Sequence, residues 1–229
     1  ARFDGLERLL RLQKLYLLAE RMILSLEFSS IDKAALDRRW LNRWRINASE
    51  SSNGALQQLW ARVLVHELIQ PGSTSLRGLE HLSCCSLEDA EMLTRLGSWL
   101  CGDFLYRSAL QAVAEPHHVA CFERLEEQSL IRGVTGKVLT KTLYSQKDKS
   151  FSCVLPVADK RLQIESSQAR TELHVPAYTV THLGRELVAL VQVTVDPPYL
   201  DALVQDLQAR GLNVSVGNAG HQGPRSQSL

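Results

Sequence analysis

No apolar run in this chain is long enough to cross a membrane as a helix. Its longest uncharged stretch near the C-terminal end, Leu187 to Val195, falls far short of the roughly 20 residues a bilayer demands. An excess of charge of either sign is missing as well: 26 Lys and Arg stand against 25 Asp and Glu, a formal net charge of +1. No global field draws the protein to nucleic acid or to an acidic membrane, so any such attraction has to be local. The five cysteines, Cys84, Cys85, Cys101, Cys121 and Cys153, show no C-x-x-C spacing, which removes the usual zinc and redox-pair signatures and predicts buried free thiols. With no signal-peptide pattern at the start, the expected location is the cytoplasm.

What is present is ordinary for a packed protein. At 229 residues with 45% hydrophobic and 22% charged residues, the chain can hold one large domain or two small ones. From Leu6 to Glu27 leucines recur at three- and four-residue spacing among arginines and glutamates, predicting a long amphipathic helix. Its apolar stripe is wider than a heptad seam, which favours packing on the chain's own helices over a coiled-coil dimer and leaves self-association open. A second helix is expected from about Asp32 to Ala48 and a third from Ala55. Pro71 and Gly72 end the third, and the hydroxyls of Ser73, Thr74 and Ser75 are placed to cap the next. Ser86 with Asp89 forms a capping box that opens a helix running, with a break, to about Ala114, and Pro116 closes this helical half.

Beyond it the pattern changes. A short helix near Val119 to Gln128 precedes segments rich in valine, threonine and leucine at 138–144, 151–157, 161–165 and 173–180, the strands of a small antiparallel sheet. Thr181 caps a helix to Leu190, Tyr199 to Arg210 forms another, Leu212 to Val216 is a strand, and 217–229 is a tail of disordered composition.

The stretch Leu59-Trp60-Ala61-Arg62-Val63-Leu64, then Glu67, Pro71-Gly72-Ser73-Thr74-Ser75 and Arg77, resembles the signature of an uncharacterised bacterial domain-of-unknown-function family. The resemblance extends to Asp37, Trp40, Ala48 and Gln57 upstream and to Asp89 and Ala90 downstream. It implies no activity, because none is assigned to the family. The order helix, Leu130-Ile131, strands, then Tyr178, Thr181, Gly184 and Leu187 at three-residue steps resembles a winged-helix domain, a fold that also serves as a partner-binding module. The expected architecture is therefore α+β: a helical domain over 1–115 bearing the signature, a winged-helix-like domain with a small antiparallel sheet over 116–216, and the tail.

Catalytic patterns are missing. His66-Glu67 is followed by Gln70 where a metalloprotease helix needs its second histidine, and the neighbours His117 and His118 do not share a helical face. Gly133, Gly136 and Lys137 have the wrong spacing for a phosphate loop and fit a hairpin turn. No G-x-S-x-G elbow occurs. No catalytic residue, metal or cofactor is assigned. Two surfaces remain as candidates. In the signature, Glu67, Ser73, Ser75 and Arg77 either have structural roles or line a polar concavity at a helix N-terminus. In the second helix, Arg38, Arg39, Arg43 and Arg45, with Lys33 and with Trp40 and Trp44 one turn apart, are able to grip phosphates, aided by Lys137, Lys141, Lys147 and Lys149 on the expected hairpin. The i, i+4 spacing of the tryptophans favours burial instead, and Glu123, Glu126 and Glu127 on the short helix oppose major-groove reading. The reading that results is a non-catalytic protein-binding or regulatory module, meeting a protein partner or itself through the N-terminal amphipathic helix. Nucleic-acid binding is the alternative, and an enzyme of unfamiliar type the third.

Overall fold

The computed structural model describes residues 2–25, 36–113, 116–168 and 171–218. By the density of its contacts the chain forms two units, Ala1–Leu93 with Glu186–Val191, and Thr94–Arg185 with the residues from Gln192 on. The fold is α+β, helices first and an antiparallel sheet in the C-terminal half.

The first unit is helical. Helix α1 (Arg2–Ser25) packs on α2 (Arg38–Glu50) and α3 (Gly54–Ile69), followed by α4 (Leu76–Ser83) and the first turns of α5 (Leu87–Ser98). Asp37 caps α2 by accepting the Trp40 amide at 2.9 Å, and Asn53 caps α3 by accepting those of Ala55 and Leu56. The expected start of α2 at Asp32 lies outside the described residues. Helix α3 is apolar around most of its circumference, with Leu59, Trp60, Ala61, Val63, Leu64 and Val65 all buried, as befits the central helix of a bundle. Trp40 and Trp44 face this core, as their spacing predicts. Their indole N–H groups donate to the carbonyls of Thr74 at 2.7 Å and Trp60 at 3.0 Å, so neither ring carries an unmatched polar atom inward. The Ser86–Asp89 capping box is present: the Ser86 amide donates to the Asp89 carboxylate at 2.8 Å and the Asp89 amide to the Ser86 hydroxyl at 3.2 Å.

The second unit corrects several expectations. The break after α5 is a two-strand hairpin, β1 (Leu100–Cys101) and β2 (Phe104–Tyr106), before α6 (Arg107–Val113). Pro116 opens a helix, α7 (Pro116–Glu127), where its missing amide costs nothing. The remaining strands are β3 (Ile131–Arg132), β4 (Leu139–Tyr144), β5 (Phe151–Val157), β6 (Lys160–Ser166), β7 (Glu172–Val180) and β8 (Asn213–Asn218). With β1 and β2 they make, among the described residues, one eight-stranded antiparallel sheet, larger than expected. Thr179 pairs with Phe104 of β2 and Arg132 of β3, and Ala177 pairs with Tyr106 of β2 and Leu139 of β4. Strands β3 and β4 therefore lie in line along one edge of β7, with β2 along the other. Strand β8 includes Gly217 and Asn218, and the rest of the expected tail lies outside the described residues.

Two helices complete this part of the chain, α8 (His182–Val188) and α9 (Pro197–Ala209). Tyr199, Leu203 and Leu207 form a buried i, i+4, i+8 stripe on α9. The Tyr199 hydroxyl accepts the Tyr106 amide at 3.0 Å and lies 3.1 Å from the Cys101 thiol, fixing α9 to the hairpin. The series Tyr178, Thr181, Gly184 and Leu187 has a steric and polar basis. Tyr178 and Leu187 are buried, and the Thr181 hydroxyl donates to the Ser129 carbonyl while accepting the Gly184 amide. A Cβ on Gly184 would stand 2.3 Å from the Leu130 carbonyl oxygen and 2.8 Å from a Val180 methyl. Gly184→Ala therefore forces backbone apart rather than filling space. Its expected cost is about 1–3 kcal/mol, a fall of about 3–10 °C in Tm by scanning calorimetry, and an unchanged Tm would show that the helix and the Leu130 turn are free to separate.

Candidate functional site

The signature turn is built around two carboxylates. The chain leaving α3 at Pro71 enters Gly72 at φ 83°, a conformation natural only to glycine, and the following amides point inward. Glu67, 4% exposed, receives them: the Gly72 amide donates to one oxygen at 2.7 Å, and the Thr74 amide at 3.1 Å and the Ser73 hydroxyl at 3.3 Å donate to the other. Glu186, 8% exposed, accepts from the Ser75 amide at 3.2 Å and the Ser75 hydroxyl at 2.8 Å. The same hydroxyl accepts the Gly78 amide at 3.0 Å and so caps α4. Glu67, Ser73 and Ser75 are thus brought together, and Glu186 joins them from a distant part of the sequence. Arg77 is exposed and has no partner among the described residues. Glu67 pairs with amides rather than with an arginine. The donors that would hold an anionic ligand at this helix end already hold the protein's own carboxylates.

The basic helix divides in its engagement. Arg45 donates to the Tyr16 hydroxyl at 2.9 Å and Arg43 stands 3.8 Å from Glu80, both at the surface. Arg38 and Arg39 are exposed without a partner among the described residues, and Lys33 lies outside them. Burial of both tryptophans withdraws their rings from base stacking. In the second unit, Lys141 bonds Asp103 at 2.7 Å and lies over the Phe104 ring, and Lys147 bonds Glu165 at 3.2 Å. Lys137 and Lys149 are exposed and unpaired among the described residues. No single hairpin carries these lysines. Strand β4 pairs with β7 and not with β3 or β5, so Lys137 sits in the loop joining two collinear strands and Lys147 and Lys149 in the loop before β5.

The Gly133 to Gly136 segment follows the same design as the signature turn. Glu126 accepts the amides of Gly133 at 2.7 Å and Val134 at 3.0 Å with one oxygen, and the amide and hydroxyl of Thr135 at 2.9 and 2.6 Å with the other. The Thr135 hydroxyl first, and then these amides, hold the Glu126 carboxyl below the usual glutamate value of 4.5. Chemistry elsewhere is subdued. No group of three His, Cys, Asp or Glu able to hold a metal occurs among the described residues. Burial pushes the thiols of Cys85 and Cys101 up to about 12 and that of Cys153 to about 11, which favours their protonated form. Cys84, contrary to the expectation of burial, is exposed.

Two outcomes follow from the carboxylate turns. Glu67→Gln places an amide donor among donors, and is expected to cost about 1–3 kcal/mol in urea denaturation; an unchanged midpoint would show that the turn is held by other means. Glu126 has a depressed folded-state pKa, so its stabilising contribution is present above its unfolded value near 4.5 and is lost as pH falls through the folded value. The difference in Tm between the protein and Glu126→Gln should be largest at neutral pH and shrink as pH falls below 4.5 through the folded value. A difference independent of pH would remove the carboxylate from that account.

Residues 12–204 match the family described as "Protein of unknown function (DUF2806)". No curated protein and no solved structure matches the chain. The family match spans Trp60, Glu67, the Pro71 turn and its second carboxylate Glu186, together with most of the sheet, and covers well over half the sequence. The chain belongs to this family of proteins of unknown function, DUF2806.

Proposed function

We propose that the protein is a non-catalytic protein-binding or regulatory module, working through the outer face of α1. A single observation carries this reading: α1 is apolar on two opposite sides and, among the described residues, only one of them is covered. Leu15 and Ala19, at 0% and 3% exposure, face α2 and α3. On the other side Leu6, Leu10, Leu17 and Leu24 are 59%, 55%, 57% and 78% exposed. At about 100° per residue these four fall within a stripe about 40° wide, with Leu10, Leu17 and Leu24 at intervals of seven. Single exposed leucines need no explanation, but an aligned row of them does.

The occupant that fits is a second copy of the helix. A seven-residue repeat keeps one seam facing a partner helix along its length. Glu20 and Arg21 flank the seam on opposite sides and have no partner among the described residues. In a parallel pair Glu20 of one copy comes beside Arg21 of the other, twice over by symmetry. Each leucine fully covered contributes about 1.5–3 kcal/mol, enough in a pair of helices to offset the cost of association.

The second unit supports a winged-helix-like reading. Two helices, α6 and α7, lie between β2 and β3, and both of these strands flank β7. On α7, Glu123 and Glu127 are exposed beside Arg124, a face that repels phosphate, so this module is read as a binding platform rather than a reader of DNA. The free cysteines support a reducing, cytoplasmic setting.

Light scattering coupled to size-exclusion chromatography tests the pairing. The protein should run at about 51 kDa, twice 25.7 kDa, at micromolar concentration, and Leu10→Glu with Leu17→Glu should run at half that mass with an unchanged circular dichroism spectrum. A 25.7 kDa species at every concentration would overturn it.

A further inference from the structure

On the second unit, α6, α7, the 133–135 loop and β7 enclose a cleft of about 250 Å³. Its walls are mainly apolar: Leu110, Val134 and the rings of Phe122 and Tyr178, whose centroids are 5.6 Å apart at 32°. Into it projects one cation. The Arg107 guanidinium carbon lies 5.1 Å from the Tyr178 ring centroid, which fixes the group by cation–π attraction without satisfying its hydrogens. Arg107 has no hydrogen-bond or ion-pair partner among the described residues, and its Nη1 is buried with no acceptor. A buried guanidinium N–H left unmatched is costly, and internal arginines are otherwise paired. The carboxylates nearby are not its partners. Glu126 is held by the amides of the 133–135 loop, and Glu123 sits on the exposed rim without an ion pair to Arg107.

We infer that this cleft binds a small organic carboxylate with a flat apolar body. The carboxylate meets the Arg107 guanidinium, whose planar fork matches two oxygens, and the body lies against Phe122 and Tyr178. The volume is below that of clefts for drug-sized ligands and suits a molecule of about one ring. A tetrahedral phosphate would fill the polar end and leave the aromatic walls uncovered, so charge and shape together select the carboxylate. The site is separate from the α1 face and does not depend on it.

Titration of the ¹⁵N-labelled protein with sodium benzoate, with benzamide and with inorganic phosphate tests the inference. Benzoate should bind saturably with a Kd in the submillimolar to millimolar range, moving amide resonances of α6, α7 and 133–135, and benzamide and phosphate should bind at least tenfold more weakly. Arg107→Gln should abolish benzoate binding. Gln111→Trp, at an exposed position on the cleft wall, should block it as well while keeping the parent melting temperature, and decides the matter if Arg107→Gln fails to fold. Equal binding of benzamide and benzoate, unaltered binding in either variant, or no saturation by about 20 mM benzoate overturns the proposal.

Discussion

Backbone amides that face inward must find an acceptor, and in three loops of this protein the acceptor is a carboxylate supplied from within the chain. Glu67 and Glu186 take the amides of the Pro71 to Ser75 turn, and Glu126 takes those of Gly133 to Thr135. Asp159 does the same for Val195, whose amide donates to it at 2.6 Å. Charge-assisted bonds of this kind are about twice as strong as neutral ones, and a carboxylate ligated on both oxygens fixes the loop and its own helix together. Trp40 extends the clamp on the first turn, its indole holding the Thr74 carbonyl while the Thr74 amide is held by Glu67.

The strand that organises the second unit is β7. It pairs with β2 on one edge and with β3 and then β4 on the other, so the helices α6 and α7 between β2 and β3 are delivered to one place. Gly184 then admits the Leu130 carbonyl at a distance no side chain tolerates, and Thr181 ties the same turn by its hydroxyl. These contacts set the walls of the Arg107 cleft, whose aromatic lining comes from α7 and β7.

Much of this was legible in the sequence where the signal is local. The Ser75 cap, the Ser86–Asp89 box and the burial of Trp40 and Trp44 all depend on residues within four positions of one another. Strands of six to nine residues, such as 151–157 and 172–180, announce themselves by their composition. The hairpin at 100–106 did not: its strands have two and three residues, too few for a period, and their burial on every residue but one erases alternation. Only Gly102-Asp103 hinted at a two-residue turn. The partners of Glu67 and Glu126 lie five to nine residues away across loops whose path no periodicity describes, and Glu186 is 111 residues from Ser75. Arg107 reads as any surface arginine until the fold surrounds it with Phe122 and Tyr178.

The distance between Ser75 and Glu186 also orders events in time. The first unit is not contiguous: 93 residues of it are synthesised first, and its closing segment, 186–191, follows only after most of the sheet has been made. Until that segment is made, the Ser75 amide and hydroxyl lack the Glu186 carboxylate that accepts them. The helical unit therefore has all its residues only once residue 191 has been made. Its maturation is coupled to the arrival of one side chain, so the two units of a protein that looks divisible on a map of contacts are joined in the history of each molecule.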